Sequence, residues 1–171
     1  MFFEKYELSG MGLSIPKFRS VAKTAPWNEM EAGLYNDGLI TVFDYNYDDS
    51  FLSSWSWLIG NNVILLGCTC WGDFFYADMN EGKFYIVLID QCKKFPMGNS
   101  FTAVFDMNLA AEDFQDQILR LNEFNEFMEQ AGKLNYGEFY ITNRKNSMKE
   151  KKELSLFLDV LGQTGQQVSS K

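Results

Sequence analysis

NVILLGCTCWGDFFYADMNEGKFYIVLID, residues 62–90, alternates apolar runs with turn chemistry and reads as three consecutive antiparallel strands. Residues 63–67 form a short apolar run that opens on β-branched Val63 and Ile64. Trp71, Gly72 and Asp73 carry turn chemistry, and residues 74–77 resume the extended pattern. Met79, Asn80, Glu81 and Gly82 then turn the chain into residues 83–89. There Phe84, Ile86 and Leu88 share one face, and Tyr85, Val87 and Ile89 the other. With both faces apolar, this last strand belongs inside a sheet that helices cover on at least one side.

Working outward, a smaller hairpin precedes this meander. Asn36, Asp37 and Gly38 form a type I′ turn signal between residues 33–35 and 39–43. Before it, residues 2–6 fit one helical turn, residues 9–12 a glycine-rich loop, and Ser14 with Pro16 the start of a short helix that Pro26 stops. Asp48, Asp49 and Ser50 supply capping side chains for a helix over 51–59, closed by Gly60. On that helix Trp55 and Trp57 stand about 200° apart, so the two indoles are expected on different faces. Beyond the meander, residues 93–99 read as a polar turn region. Phe101, Val104, Phe105 and Leu109 mark one helix, and Phe114, Ile118, Leu121, Phe124 and Met128 a longer one ending near Gly132. Residues 136–141 read as a strand and 145–152 as a basic solvated loop. A final helix over 148–161 buries Leu154, Phe157, Leu158 and Leu161, and a frayed tail follows over 163–171. The expected fold is α+β: an antiparallel meander sheet packed by N- and C-terminal helices, one domain over residues 1–171.

Composition narrows the function. The chain has 171 residues, enough for a sizeable core, and 16% of them are aromatic. Its net charge of −8 repels phosphate backbones, so direct nucleic-acid binding is disfavoured and a basic protein partner suits it better. There is no histidine, which removes Ser-His-Asp and Cys-His catalysis and His-based metal sites. Of the three cysteines, Cys68 and Cys70 could be half of a metal site, but further ligands at readable spacing are missing; buried, reduced thiols in a reducing compartment are the expectation. No metal and no cofactor are expected. Charge follows the initiating methionine at once, and no apolar run nears the roughly 20 residues of a bilayer span. A cytoplasmic protein without membrane contact is expected.

Two constellations remain. Asp44, Asp48 and Asp49 cluster before a helix and could run hydrolysis or hold a small ligand, although cap and turn duty explains nearly all of the acidic residues. Tyr45, Tyr47, Trp55, Trp57 and Trp71 form an aromatic group that is either core or a set of interface anchors inside an acidic rim.

With the order of elements laid out, the chain resembles the type VI secretion DNase-immunity family, whose C-terminal domain often follows a GAD-like segment. The resemblance covers roughly residues 32–167. It rests on Gly33-Leu34-Tyr35 with Asp37-Gly38-Leu39, on LLGCTCWGDFFYAD, on LAAEDFQDQILRLNEFNEFMEQAGKLNYGEFY and on the closing LSLFLDVLGQTGQ. Two departures stand out: a short N-terminal portion, and Thr142-Asn143-Arg144-Lys145-Asn146 in place of an apolar, glycine-ending segment. The layout is also similar to the SUKH superfamily, another group of immunity proteins. The resemblance implies a non-enzymatic protein that binds and neutralises a cognate secreted toxin, of nuclease type and basic, in the cytoplasm. The alternative is a small hydrolase or ligand-binding protein built on Asp44, Asp48 and Asp49. The toxin-binding face is expected on segment 44–57 and the neighbouring turn, with Asp44, Tyr45, Tyr47, Asp48, Asp49, Trp57, Trp71 and Asp73 as its residues.

Overall fold

A computed structural model describes the backbone of residues 1–171 and every side chain except those of Met11 and Leu13. Seven strands cross one antiparallel sheet in chain order: β1 (Leu8–Ser14), β2 (Ala32–Tyr35), β3 (Ile40–Val42), β4 (Val63–Thr69), β5 (Phe74–Asp78), β6 (Lys83–Leu88) and β7 (Lys93–Gly98). The meander expected over 62–90 is therefore the centre of a larger one. In the β2–β3 turn the Leu39 N–H bonds the Asn36 carbonyl at 3.1 Å, and the central residues Asp37 and Gly38 have φ 56° and 94°, the positive pair that a type I′ turn requires. At Gly67 the β4–β5 ladder shifts register, and a side chain there would meet the Thr41 carbonyl oxygen at 2.2 Å, so only glycine lets the strands approach.

Both faces of the sheet are covered, because successive residues of β5 point opposite ways. Phe74 meets Phe51 and Trp55 edge-on on one side, while Phe75 meets Phe105 on the other. Phe105 belongs to a wide helical turn, Ala103–Leu109; it stacks with Trp27 and meets Phe2 of the short helix α1 (Phe2–Lys5) edge-on. A 3₁₀ run, Ser50–Trp55, leads into α2 (Ser56–Ile59) and lines the Phe74 face. After the sheet come α3 (Glu112–Phe114) with its continuation Gln115–Leu119, then α4 (Leu121–Ala131). Last are β8 (Glu138–Thr142), β9 (Lys149–Glu153) and α5 (Leu154–Ser169). One continuous hydrophobic cluster runs from Phe2 to Leu158, which makes the chain a single α+β domain. Among the described residues no helix is long and apolar enough to cross a membrane.

Several local expectations are overturned. The loop expected over 9–12 lies in edge strand β1, where Gly10 lets Leu34 pack within 3.3 Å of the position a Cβ would take. The turn region over 93–99 is the opposite edge, β7, whose Pro96 is tolerated where no further strand needs its missing N–H. Ser14 caps nothing; the short 3₁₀ helix Lys17–Ser20 begins after Pro16. The long helix is broken at Arg120, which adopts a left-handed conformation (φ 49°). The basic loop is instead strand β9, paired with β8 from Glu138↔Glu153 to Thr142↔Lys149. Its lysines reach carboxylates on either side: Lys149 to Glu126 at 2.7 Å and Lys151 to Glu138 at 3.4 Å. The final helix accordingly starts at Leu154, capped by the Glu153 carboxylate, and continues to Ser169 where a frayed tail was expected. Gly162 and Gly165, which weaken a helix in isolation, are buried and let Trp55 and Trp57 lie against the α5 backbone. A Cβ at Gly162 would sit 2.7 Å from the Trp55 ring.

Candidate functional site

The residues expected to form one partner-binding face divide among separate neighbourhoods. Asp44 is buried; its Oδ1 accepts from the Tyr47 N–H at 3.1 Å and from the Tyr136 hydroxyl at 3.0 Å, 92 residues downstream. Tyr47 is half-buried, stacked on Phe43 with ring centroids 3.9 Å apart and edge-on to Tyr136. Burial pushes both phenols well above their usual pKa. Tyr45 stands at the surface, 55% exposed.

Asp48 is exposed and accepts the Ser50 N–H at 3.0 Å, an Asx turn that holds its carboxyl below the usual range. Asp49 pairs with Lys17 at 3.0 Å. Each of the three carboxylates thus has its own partner: the Tyr136 hydroxyl for Asp44, the Ser50 N–H for Asp48 and Lys17 for Asp49. Among the described residues no group of three or more Cys, Asp or Glu is gathered in a form that could hold a metal ion.

Trp55 and Trp57 depart from the helical expectation. Trp55 leaves helical geometry (φ −103°, ψ 0°) where the 3₁₀ run hands over to α2, and this re-aims its indole. The two rings stack at 6.2 Å on the same side of the segment, and both donate to α5: Trp55 Nε1 to Leu158 O at 2.8 Å, Trp57 Nε1 to Gly162 O at 3.1 Å. Trp57 is thus half-buried in an internal seam.

Trp71 and Asp73 are buried at the end of the β4–β5 hairpin. Trp71 Nε1 donates to Leu119 O at 2.7 Å, its ring meets Phe127 edge-on, and the Arg120 guanidinium lies over it at 4.2 Å. The left-handed backbone of Arg120 is what turns that side chain onto the indole. Asp73 accepts the Ile89 N–H at 2.9 Å; burial raises its pKa to about 7, more than that hydrogen bond lowers it. Cys68 and Cys70 are free and buried, as expected, and burial pushes both thiols far above the range of a reactive thiolate.

The surface offers apolar groups beside carboxylates elsewhere, at the outer edge of the sheet. Leu8, at the start of β1, separates two open clefts. One, of about 310 Å³, is lined by Phe3, Tyr6, Pro26, Met30 and Tyr35 with Glu29 and Glu31. The other, of about 340 Å³, lies between the β2–β3 turn and α4, where Leu39, Leu121, Phe124 and Met128 meet Glu7 and Asp37. Phe3, Leu8 and Leu121 are 43%, 37% and 43% exposed. Neither cleft has a lysine or arginine among its lining residues. Asp37 is met from outside by Lys133 at 3.0 Å, a lysine 69% exposed. The sequence reading missed this surface because its residues come from positions 3–39 and 121–128. The one local sign was a carboxylate directly before an apolar residue that falls outside any buried period, Glu7 before Leu8.

No family model matches the chain, and no curated protein matches it in sequence. Its fold is similar to the crystal structure of Atu4351 from Agrobacterium tumefaciens, with a TM-score of 0.63 over 94% of this chain and 86% of that one, at 12% identity. At that identity the likeness is one of fold.

Proposed function

We propose that this protein is a non-enzymatic immunity protein: it binds a basic secreted toxin, of nuclease type, in the cytoplasm and covers the toxin's active site. The observation that carries the reading is where the charge sits. All but Asp44, Asp73 and Asp78 of the 23 carboxylates keep surface exposure, against 15 lysines and arginines. From Glu112 to Glu129 six acidic side chains are exposed; Glu123 pairs with Arg120 at 3.1 Å and Glu126 with Lys149 at 2.7 Å, and the stretch stays acidic on balance. Such a surface attracts the basic groove of a nuclease from a distance and speeds encounter. The sequence resemblance supplies the partner class.

The experiment is co-expression with the toxin encoded in an adjacent reading frame. Cells carrying both proteins survive and the two co-purify as a complex whose association rate falls as salt is raised. A chain that rescues no cell from any neighbouring toxin overturns the reading.

A further inference from the structure

We infer that the twin clefts beside Leu8 are the docking surface, and that they take an extended segment of the partner carrying long cationic side chains. The inference rests on the toxin-binding reading above and supplies its surface. Phe3, Leu8 and Leu121 hold apolar surface in the open although the chain buries most of its large side chains. Each cleft pairs that floor with acidic side chains, Glu29 on one side of Leu8 and Glu7 and Asp37 on the other.

Lysine and arginine match this arrangement group by group. Their aliphatic stems lie on leucine and phenylalanine while their charged heads reach carboxylate oxygens. The clefts, of about 310 and 340 Å³, are open to solvent and each has room for a long side chain. The contact between Asp37 and exposed Lys133 is a solvent-facing pair, worth little, so a partner's cation can displace it. Position favours an extended occupant: the sheet ends at β1, and an edge strand is where a second chain can lie alongside.

Other faces fit less well. Leu156, Val160 and Val168 make an exposed apolar stripe on α5, but the only charged residue of that helix, Asp159, bonds Ser54 and Gln163, so nothing there selects a cation. A second copy of this chain brings the same −8 charge to the acidic clefts and is repelled.

The test uses the full chain and an inactive form of the toxin from the adjacent reading frame, titrated by calorimetry and surface kinetics. Leu121→Arg places a cation in the cleft and weakens binding about 100-fold or more. Glu7→Gln combined with Glu29→Gln slows association about tenfold at low salt and flattens its salt dependence, with dissociation little changed. Leu156→Arg, an equally drastic change at a more exposed leucine on α5, leaves affinity within about threefold. Melting temperatures show whether each variant is folded, and the isosteric glutamine pair decides if Leu121→Arg melts early. The surface assignment is overturned if the glutamine pair associates as wild type does or if Leu156→Arg loses as much affinity as Leu121→Arg. It is also overturned if the protein alone is a dimer that Leu121→Arg dissociates without loss of toxin binding. In each of those cases the toxin-binding reading stands; if wild type itself binds no toxin, that reading fails first and the surface falls with it.

Discussion

Two regions of this molecule hold the same ingredients, large apolar side chains beside carboxylates, and meet opposite fates. Around Asp44, Tyr47, Trp57, Trp71 and Asp73 the side chains turn inward, and Asp44, Trp57 and Trp71 bond groups 48 to 105 residues away along the chain. Around Phe3, Glu7, Leu8, Glu29 and Leu121 the same chemistry stays at the surface, at the edge where the sheet ends. Composition supplies what an interface is made of; whether it becomes an interface depends on what folds over it. The first region is covered by the second half of the chain, by Tyr136, Leu119, Arg120 and the α5 backbone.

The comparison breaks most visibly at the tryptophans. Trp55→Ala removes a fully buried indole together with its hydrogen bond to Leu158 O, and should cost about 3–5 kcal/mol in urea unfolding. Full stability in that variant would mean that the inward region is less closed than its packing indicates.

A smaller effect, and one with a sign, is expected at Asp73. Its pKa is about 7 folded and about 3.9 in an unfolded chain, so between those values the native state binds the proton that the unfolded state has released. Its contribution to stability is therefore fully present below about pH 4, is lost as pH rises to about 7, and is flat above. Asp73→Asn keeps an oxygen for the Ile89 N–H and removes the titration. Relative to wild type the variant should gain stability across that window, by up to about 1.4 kcal/mol per pH unit. Melting both proteins from pH 4 to pH 7 reads this directly, and a constant difference would mean the carboxyl is already ionised in the fold.

Next comes the α5 seam. Gly162→Ala puts a methyl group against the Trp55 ring and the Ser54 carbonyl, at 2.7 and 2.8 Å, and overpacking of that kind costs about 1–3 kcal/mol even though alanine favours the helix itself. A stabilised variant would show that the helix slides away from the indole freely.

The smallest effect sharpens the contrast from the other side. Glu7→Gln and Glu29→Gln change surface carboxylates and should leave the melting temperature unmoved, within about 0.5 kcal/mol. A large loss there would make the outer clefts structural, like the inner region.

The strands over 62–90, the Asn36–Gly38 hairpin and the buried side of the last helix were legible from residues alone. Hairpin register and helical periodicity are set by neighbours within a few positions, and alternating apolar residues report them. The α+β class follows from those elements together. The destination of the tryptophans and carboxylates was not legible, because contacts 92 to 105 residues apart decide it: Asp44 with Tyr136, Trp55 with Leu158, Trp57 with Gly162. The same holds for Lys-Glu-Lys-Lys-Glu at 149–153, which has no apolar alternation and is a strand because β8 lies beside it and carboxylates meet its lysines. It holds again for the surface beside Leu8, which combines residues 3–39 with residues 121–128. Sequence alone determined the local elements, where the causes are local; the tertiary structure decided which chemistry is sealed and which is offered, since burial belongs to the assembled surface and not to any one stretch of it.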